Sequence, residues 1–190
     1  MKMGCEATSK QPYLTTRRIT TIALLGAISA VLGLTPLGFL QVGIISVTFM
    51  HIPVIIAAIL EGPIAGGIVG LIFGISSIIS NVPKVTGPIF LNPMVSIVPR
   101  VLIGIISAYV YKWTKNTAIT AAAGTATNTI GVLSAIYFMA AQQFANIKGV
   151  TPDVVGKILL GTAATNGIAE IVVAIILVPA IIKGVNMMKK

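Results

Sequence analysis

The sequence predicts an all-α membrane protein, a single bundle of six transmembrane helices. Of its 190 residues, 56% are hydrophobic and only 9% are charged. Mean hydropathy is +1.01, whereas a soluble domain carries about 25% charged residues to make its polar shell. Apolar runs of membrane-crossing length, about 20 residues, recur six times along the chain. A soluble enzyme, a nucleic-acid-binding domain and a disordered chain are excluded together. The bundle is expected over 18–184, with cytoplasmic tails at 1–17 and 185–190 and no second domain.

Each crossing has its own signature. The first run is Ile19–Leu34. Basic residues precede it, as in a signal peptide, but it runs on through Leu32, Gly33 and Leu34 without a polar cleavage region, which predicts a retained helix. Met1–Gln11 reads as a tail, and Cys5 in it as a reduced thiol. The second run, Ile44–Leu60, contains Pro53, whose missing donor must be compensated by neighbours or a cavity. Glu61, Gly62 and Pro63 form a tight turn into the third, Ile64–Ser80. There Gly66, Gly70 and Gly74 fall on one face and predict a close helix–helix approach. The fourth run, Val95–Tyr111, contains Pro99. The fifth, Ala118–Phe144, holds Ala121–Thr129, a stretch too small and polar to face lipid. The sixth, Ile158–Ile182, carries Pro179 near its end, as a kink or an exit.

Basic residues set the expected orientation. With the N-terminus inside, Lys2, Lys10, Arg17, Arg18, Lys112, Lys115, Lys183, Lys189 and Lys190 fall on the cytoplasmic side. Lys84, Arg100, Lys148 and Lys157 fall outside. The excess of positive charge is expected to place both termini in the cytoplasm. The net charge of +9 therefore reads as membrane topology, and no nucleic-acid partner is expected.

Polar groups within the membrane mark the chemistry, since each costs about 2.5–3.5 kcal/mol when it faces lipid. Arg100, Asn128, Asn166 and Glu170 are such groups, and Asn166 and Glu170 share a helix face at i and i+4. Arg100 and Glu170 lie at neighbouring depths. They invite either a structural ion pair or a pocket in which Arg100 captures an anionic solute. The outer segments Thr35–Gly43 and Asn81–Pro93 combine Pro, Gly and Asn with Phe39, Leu40, Ile89, Phe90 and Leu91. They read either as a lid or as loops dipping into the interface. Asn81, Lys84, Thr86 and Asn92 offer polar contacts there, with His51 and Gln41 nearby. On the first helix, Ala23 and Ala27 form one stripe and Gly26 and Ala30 an adjacent one, suited equally to internal packing or to another protein.

No phosphate loop, metalloprotease motif or serine–histidine motif is present, and one His with four acids leaves no zinc cluster. No cofactor is expected. A chain that moves a solute without an ATP site needs outside energy. A small membrane enzyme using Glu170 or His51 is the rival class, and it lacks a nucleophile–base constellation.

The segments FMHIPVIIAAILEGPIAGGIVGLIFGISSII, FLNPMVSIVPRVLIG, ATNTIG and TNGIAE resemble the substrate-binding (S) components of energy-coupling factor (ECF) vitamin transporters, from about Arg17 to Lys183. Among these the chain looks most like the pantothenate-specific members. The resemblance implies an S component that binds a water-soluble vitamin at the extracellular face. It implies docking on a membrane coupling subunit attached to two cytoplasmic ATPases, with Ala23 and Ala27 at that contact. It also implies a pocket drawn from Gln41, Asn81, Lys84, Asn92, Arg100, Asn128 and Asn166. Pantothenate, a small monoanion with hydroxyls and an amide, suits one cation among amide side chains. Folate and riboflavin would favour aromatic stacking.

Overall fold

The computed structural model describes residues 15–35, 38–42, 45–84 and 87–187. Cys5 and Thr86 lie outside the described residues. Five helical segments are long and apolar enough to cross a membrane: Thr16–Leu34, Pro63–Asn81, Pro93–Thr114, Thr117–Met139 and Pro152–Met187. A sixth apolar helix is shorter. The bundle runs α1 (Thr16–Leu34), a hairpin of β1 (Phe39–Val42) and β2 (Ile45–Thr48), α2 (Ile52–Glu61), then α3 (Pro63–Asn81). Two single-turn helices follow, α4 (Gly87–Phe90) and α5 (Pro93–Ser96), and lead into α6 (Val98–Thr114) and α7 (Thr117–Met139). The chain ends with α8 (Ala141–Lys148), α9 (Pro152–Thr162), a wider π turn (Ala163–Gly167) and α10 (Ile168–Met187).

The second crossing differs from the expected helix over Ile44–Leu60. Its first residues pair as an antiparallel hairpin, with Gln41 opposite Ser46 and Val42 opposite Ile45. The helix begins only at Ile52 and has 10 residues, about 15 Å of rise. Pro53 therefore sits in the first turn of α2, where its missing N–H leaves nothing unsatisfied. Pro99 likewise occupies the first turn of α6, after a break at Ile97. Both prolines start helices rather than bend them. Pro179 remains inside α10. Gly62 joins α2 to α3 alone, at φ +88°, a conformation that glycine adopts without a Cβ penalty. Pro63 then opens α3.

The glycine repeat on α3 packs against α6. A Cβ on Gly66 would come within 2.8 Å of Ala58 Cβ and 2.9 Å of the Gly104 carbonyl. One on Gly74 would come within 2.9 Å of Ile97 Cα, and one on Gly70 would strike the Arg100 carbonyl. On α1, the buried residues Ile22, Gly26, Ser29 and Gly33 form the inward stripe, with Gly26 facing Ile72 and Gly33 facing Ser76. Ala23 and Ala27 are exposed on the other side.

The main core gathers Ile22, Ile55, Val69, Phe73, Ile103 and Val178 among others. A second apolar cluster lies at the hairpin end and contains Ile89, Val95, Ile136, Val155 and Leu159, with Phe90 packed on it. The apolar residues of the segment after α3 are thus largely absorbed in packing, although Leu91 stays 45% exposed. Trp113 near the end of α6 and Phe138 near the end of α7 are strongly exposed, as expected of aromatic side chains at a membrane–water boundary.

Candidate functional site

The hairpin end is where polar side chains meet inside the bundle. His51 precedes the first turn of α2 and is 1% exposed, and Arg100 in the first turn of α6 is 7% exposed. Glu170, in the first turn of α10, is also buried. Thr125, Asn128 and Thr129 come from the middle of α7, at i, i+3 and i+4, so they share a face. The small residues around them let α7 approach closely. A Cβ on Gly131 would lie 3.1 Å from Pro99 Cβ, and one on Gly167 would lie 3.1 Å from Thr129 Cγ2.

Hydrogen bonds divide this cluster into anchored and unpartnered atoms. His51 Nε2 lies 3.0 Å from Thr125 Oγ1. Arg100 Nη1 donates to the Val95 carbonyl at 2.9 Å, and its guanidinium carbon stands 5.4 Å from the centre of the Phe73 ring. Glu170 Oε1 accepts from the Thr48 backbone N–H at 3.0 Å and from the Thr48 hydroxyl at 2.6 Å. Arg100 and Glu170 lie within electrostatic reach of each other without forming a direct ion pair. Buried and without a hydrogen-bond partner among the described residues are His51 Nδ1, Arg100 Nε and Asn128 Oδ1. Such atoms cost about 1–3 kcal/mol each, and more where charged. Arg100 Nε is a donor, and Asn128 Oδ1 is an acceptor.

The other expected site residues have different surroundings. Asn166 lies in the π turn, half-buried and engaged. π turns of this kind are frequent at functional sites. Asn81 is buried, with Nδ2 donating to the Ser77 carbonyl of its own helix at 2.7 Å. Asn92 caps α5, its Oδ1 accepting from Met94 N at 3.0 Å. Lys84 is exposed beyond the end of α3. Gln41 lies on β1, and its side chain is outside the described residues. Thr48, Thr125, Thr129 and Phe73 join the cluster as additions. Thr125 and Thr129 belong to the stretch expected to look inward. Thr48 and Phe73 had no sequence signal, being embedded in apolar runs. Two open apolar grooves, of 430 and 470 Å³, lie elsewhere: one along α3 and α6 beside Gly67 and Ile105, the other near Thr117 and Lys183. No group of three or more His, Cys, Asp or Glu able to hold a metal occurs among the described residues.

The family described as the substrate-specific component of ECF transporters matches residues 17–182 of this chain. The chain belongs to that family. Two relatives of this S component bear related names. The pantothenic acid transporter PanT of Lactococcus lactis subsp. cremoris is 32% identical over 154 residues, covering 71% of this chain and 75% of the relative. The pantothenate transporter PanT of Leuconostoc mesenteroides is 30% identical over 187 residues, covering 91% of each. The expected membership is therefore established, with a pantothenate-like character within the family. The helical bundle agrees with the expected fold of an S component, with the second crossing shortened.

Proposed function

We propose that this S component binds pantothenate in the polar cluster at the hairpin end, which faces the cell exterior, and delivers it by docking on a membrane coupling subunit that carries two cytoplasmic ATPases. The observation that carries the reading is that Arg100 Nε, Asn128 Oδ1 and His51 Nδ1 are buried with no hydrogen-bond partner among the described residues, on α6, on α7 and before α2, elements that pack together. A carboxylate supplies what Arg100 Nε lacks, and a hydroxyl or amide donor supplies what Asn128 Oδ1 lacks. Pantothenate carries all three groups. Asn166 and the second oxygen of Glu170 complete the contacts in this reading. Gln41, Asn81, Lys84 and Asn92 sit around the entrance, with Asn81 and Asn92 acting through the backbone they hold.

The names of the two relatives support the choice of vitamin, and the charge bias of the sequence supports the orientation. The aromatic ring at the cluster, Phe73, already has its face toward Arg100, which disfavours a flat-ring vitamin such as folate or riboflavin. Ala23 and Ala27, exposed on α1, form the contact with the coupling subunit. The chain performs no chemistry of its own, and the energy for release comes from the partner ATPases.

Native mass spectrometry of the purified protein tests the assignment. Pantothenate is expected to co-purify and to exchange with added vitamin. A bound folate or flavin mass, or no pantothenate binding by calorimetry, overturns it.

A further inference from the structure

The opposite end of the bundle holds a second arginine and glutamate, and these two do meet. Arg18, in the first turn of α1, lies over the joint between α2 and α3. Its Nη2 donates to the Glu61 carbonyl, and its Nε stands 3.6 Å from Glu61 Oε2. Thr21 Oγ1 donates to Glu61 Oε1 at 3.4 Å. A Cβ on Gly62 would lie 3.5 Å from Arg18 Nη2, an ordinary contact, so it is the φ of +88° and not lack of space that calls for glycine beside this pair. At the other end of the same helix pair, Ser29 Oγ donates to the Met50 carbonyl at 3.0 Å. The polar ties thus join residues 18 and 61 at one end and 29 and 50 at the other, at equal sequence spacing on the two antiparallel elements.

Between those ties α1 is held by apolar packing, with Ile22 and Leu25 on the main core and Gly26 against Ile72 of α3. Apolar contacts of this kind allow sliding and rotation, because they are not directional. Hydrogen bonds and bidentate charge contacts are directional and fix an azimuth. Arg18 and Thr21 lie on the inward face, and Ala23 and Ala27 lie on the face turned away from it. We infer that Arg18 and Glu61 are positioning residues for docking: they lock the rotation of α1 on α2 and so determine that the Ala23–Ala27 face is the one offered to the coupling subunit. This rests on the docking reading above.

The experiment compares Arg18→Met, Arg18→Lys, Glu61→Gln and the double variant Ala23→Trp/Ala27→Trp in the complete transporter. Three quantities are read: co-purification of the coupling and ATPase subunits, pantothenate uptake into proteoliposomes, and pantothenate affinity of the isolated S component. Arg18→Met should lower co-purification and uptake roughly tenfold, as expected for loss of a charge-assisted pair of about 1.4 kcal/mol, with affinity within about twofold. Arg18→Lys should retain most of both, and Glu61→Gln should fall between them. Unchanged co-purification and uptake in Arg18→Met, an equal loss of vitamin affinity, or a lysine variant as defective as the methionine one overturns the inference. If Ala23→Trp/Ala27→Trp disrupts the complex while Arg18→Met does not, only the inference falls. If the tryptophan variant assembles and transports normally, the docking reading falls with it. Co-purification needs no vitamin, so it remains decisive even if the substrate is not pantothenate.

Discussion

An arginine and a glutamate approach each other at both ends of this bundle, with opposite outcomes. At the α2–α3 joint, Arg18 and Glu61 satisfy one another and recruit Thr21. At the hairpin end, Arg100 and Glu170 are near enough to interact electrostatically, yet each is tied elsewhere, to Val95 and to Thr48. Arg100 Nε is buried without a partner among the described residues. The same two residue types thus make a clasp where they bond each other and, under the proposed function, a reception site where they do not. In that reading, buried charge is tolerated in the second case because a bound anion completes it. An unliganded charge of this kind lowers stability, and natural proteins keep such a cost mainly where function requires it.

The sharpest way to break this contrast is to remove each cation in turn. Arg100→Ala should weaken pantothenate binding at least about 100-fold, in line with loss of a desolvated charge contact of about 3 kcal/mol. Arg18→Ala should leave that affinity within about twofold. Equal losses measured by calorimetry would erase the distinction. A second test exchanges the partners. Arg18→Glu/Glu61→Arg should regain much of the melting temperature lost in Arg18→Glu alone, by about 1 kcal/mol of coupling. Arg100→Glu/Glu170→Arg should regain no binding, because that pair is not directly bonded. Rescue of binding by the second exchange would make it a clasp like the first.

A third, smaller effect concerns how Glu170 is held. Thr48→Val removes a hydroxyl bond of 2.6 Å to Glu170, and should weaken binding roughly tenfold, measured by titration of the purified protein. No change would show that the hairpin tie is irrelevant to the site. The smallest expected effect is on Asn92, which caps α5. Asn92→Ala should cost about 1 kcal/mol of stability and change pantothenate affinity by less than about threefold, read by thermal unfolding and titration. A large affinity loss at constant stability would move Asn92 from cap to ligand.

Much of the bundle was legible from hydropathy, because lipid imposes a length on every crossing. The α3 run and its glycine face could be read directly from spacing, whereas the sixth run, expected over Ile158–Ile182, takes in parts of α9 and α10 and the π turn between them. The second crossing could not. A short strand followed by a short helix, both apolar, has the same hydropathy as one helix, and periodicity over so few residues does not separate them. Pro53 and Pro99 were legible as breaks but not as helix starts, since that depends on where the helix begins. In the site, Arg100, Asn128 and Glu170 announced themselves as polar groups in lipid. Asn81 and Asn92 have the same chemistry, yet local backbone carbonyls and amides take their side chains. Asn92 followed by Pro93 is also a helix-start pattern, which composition read as ligand chemistry. Thr48 carried no signal because its role depends on a glutamate 122 positions away.

The shortness of α2 has a consequence for how far a solute must travel. Ten helical residues rise about 15 Å, half of a hydrocarbon slab about 30 Å thick. His51, which precedes that helix, therefore stands about half a slab thickness from the Gly62 turn. In the proposed site, a solute bound beside His51 leaves about 15 Å of packed aliphatic side chains, Val54 to Ile59 among them, between itself and the far side.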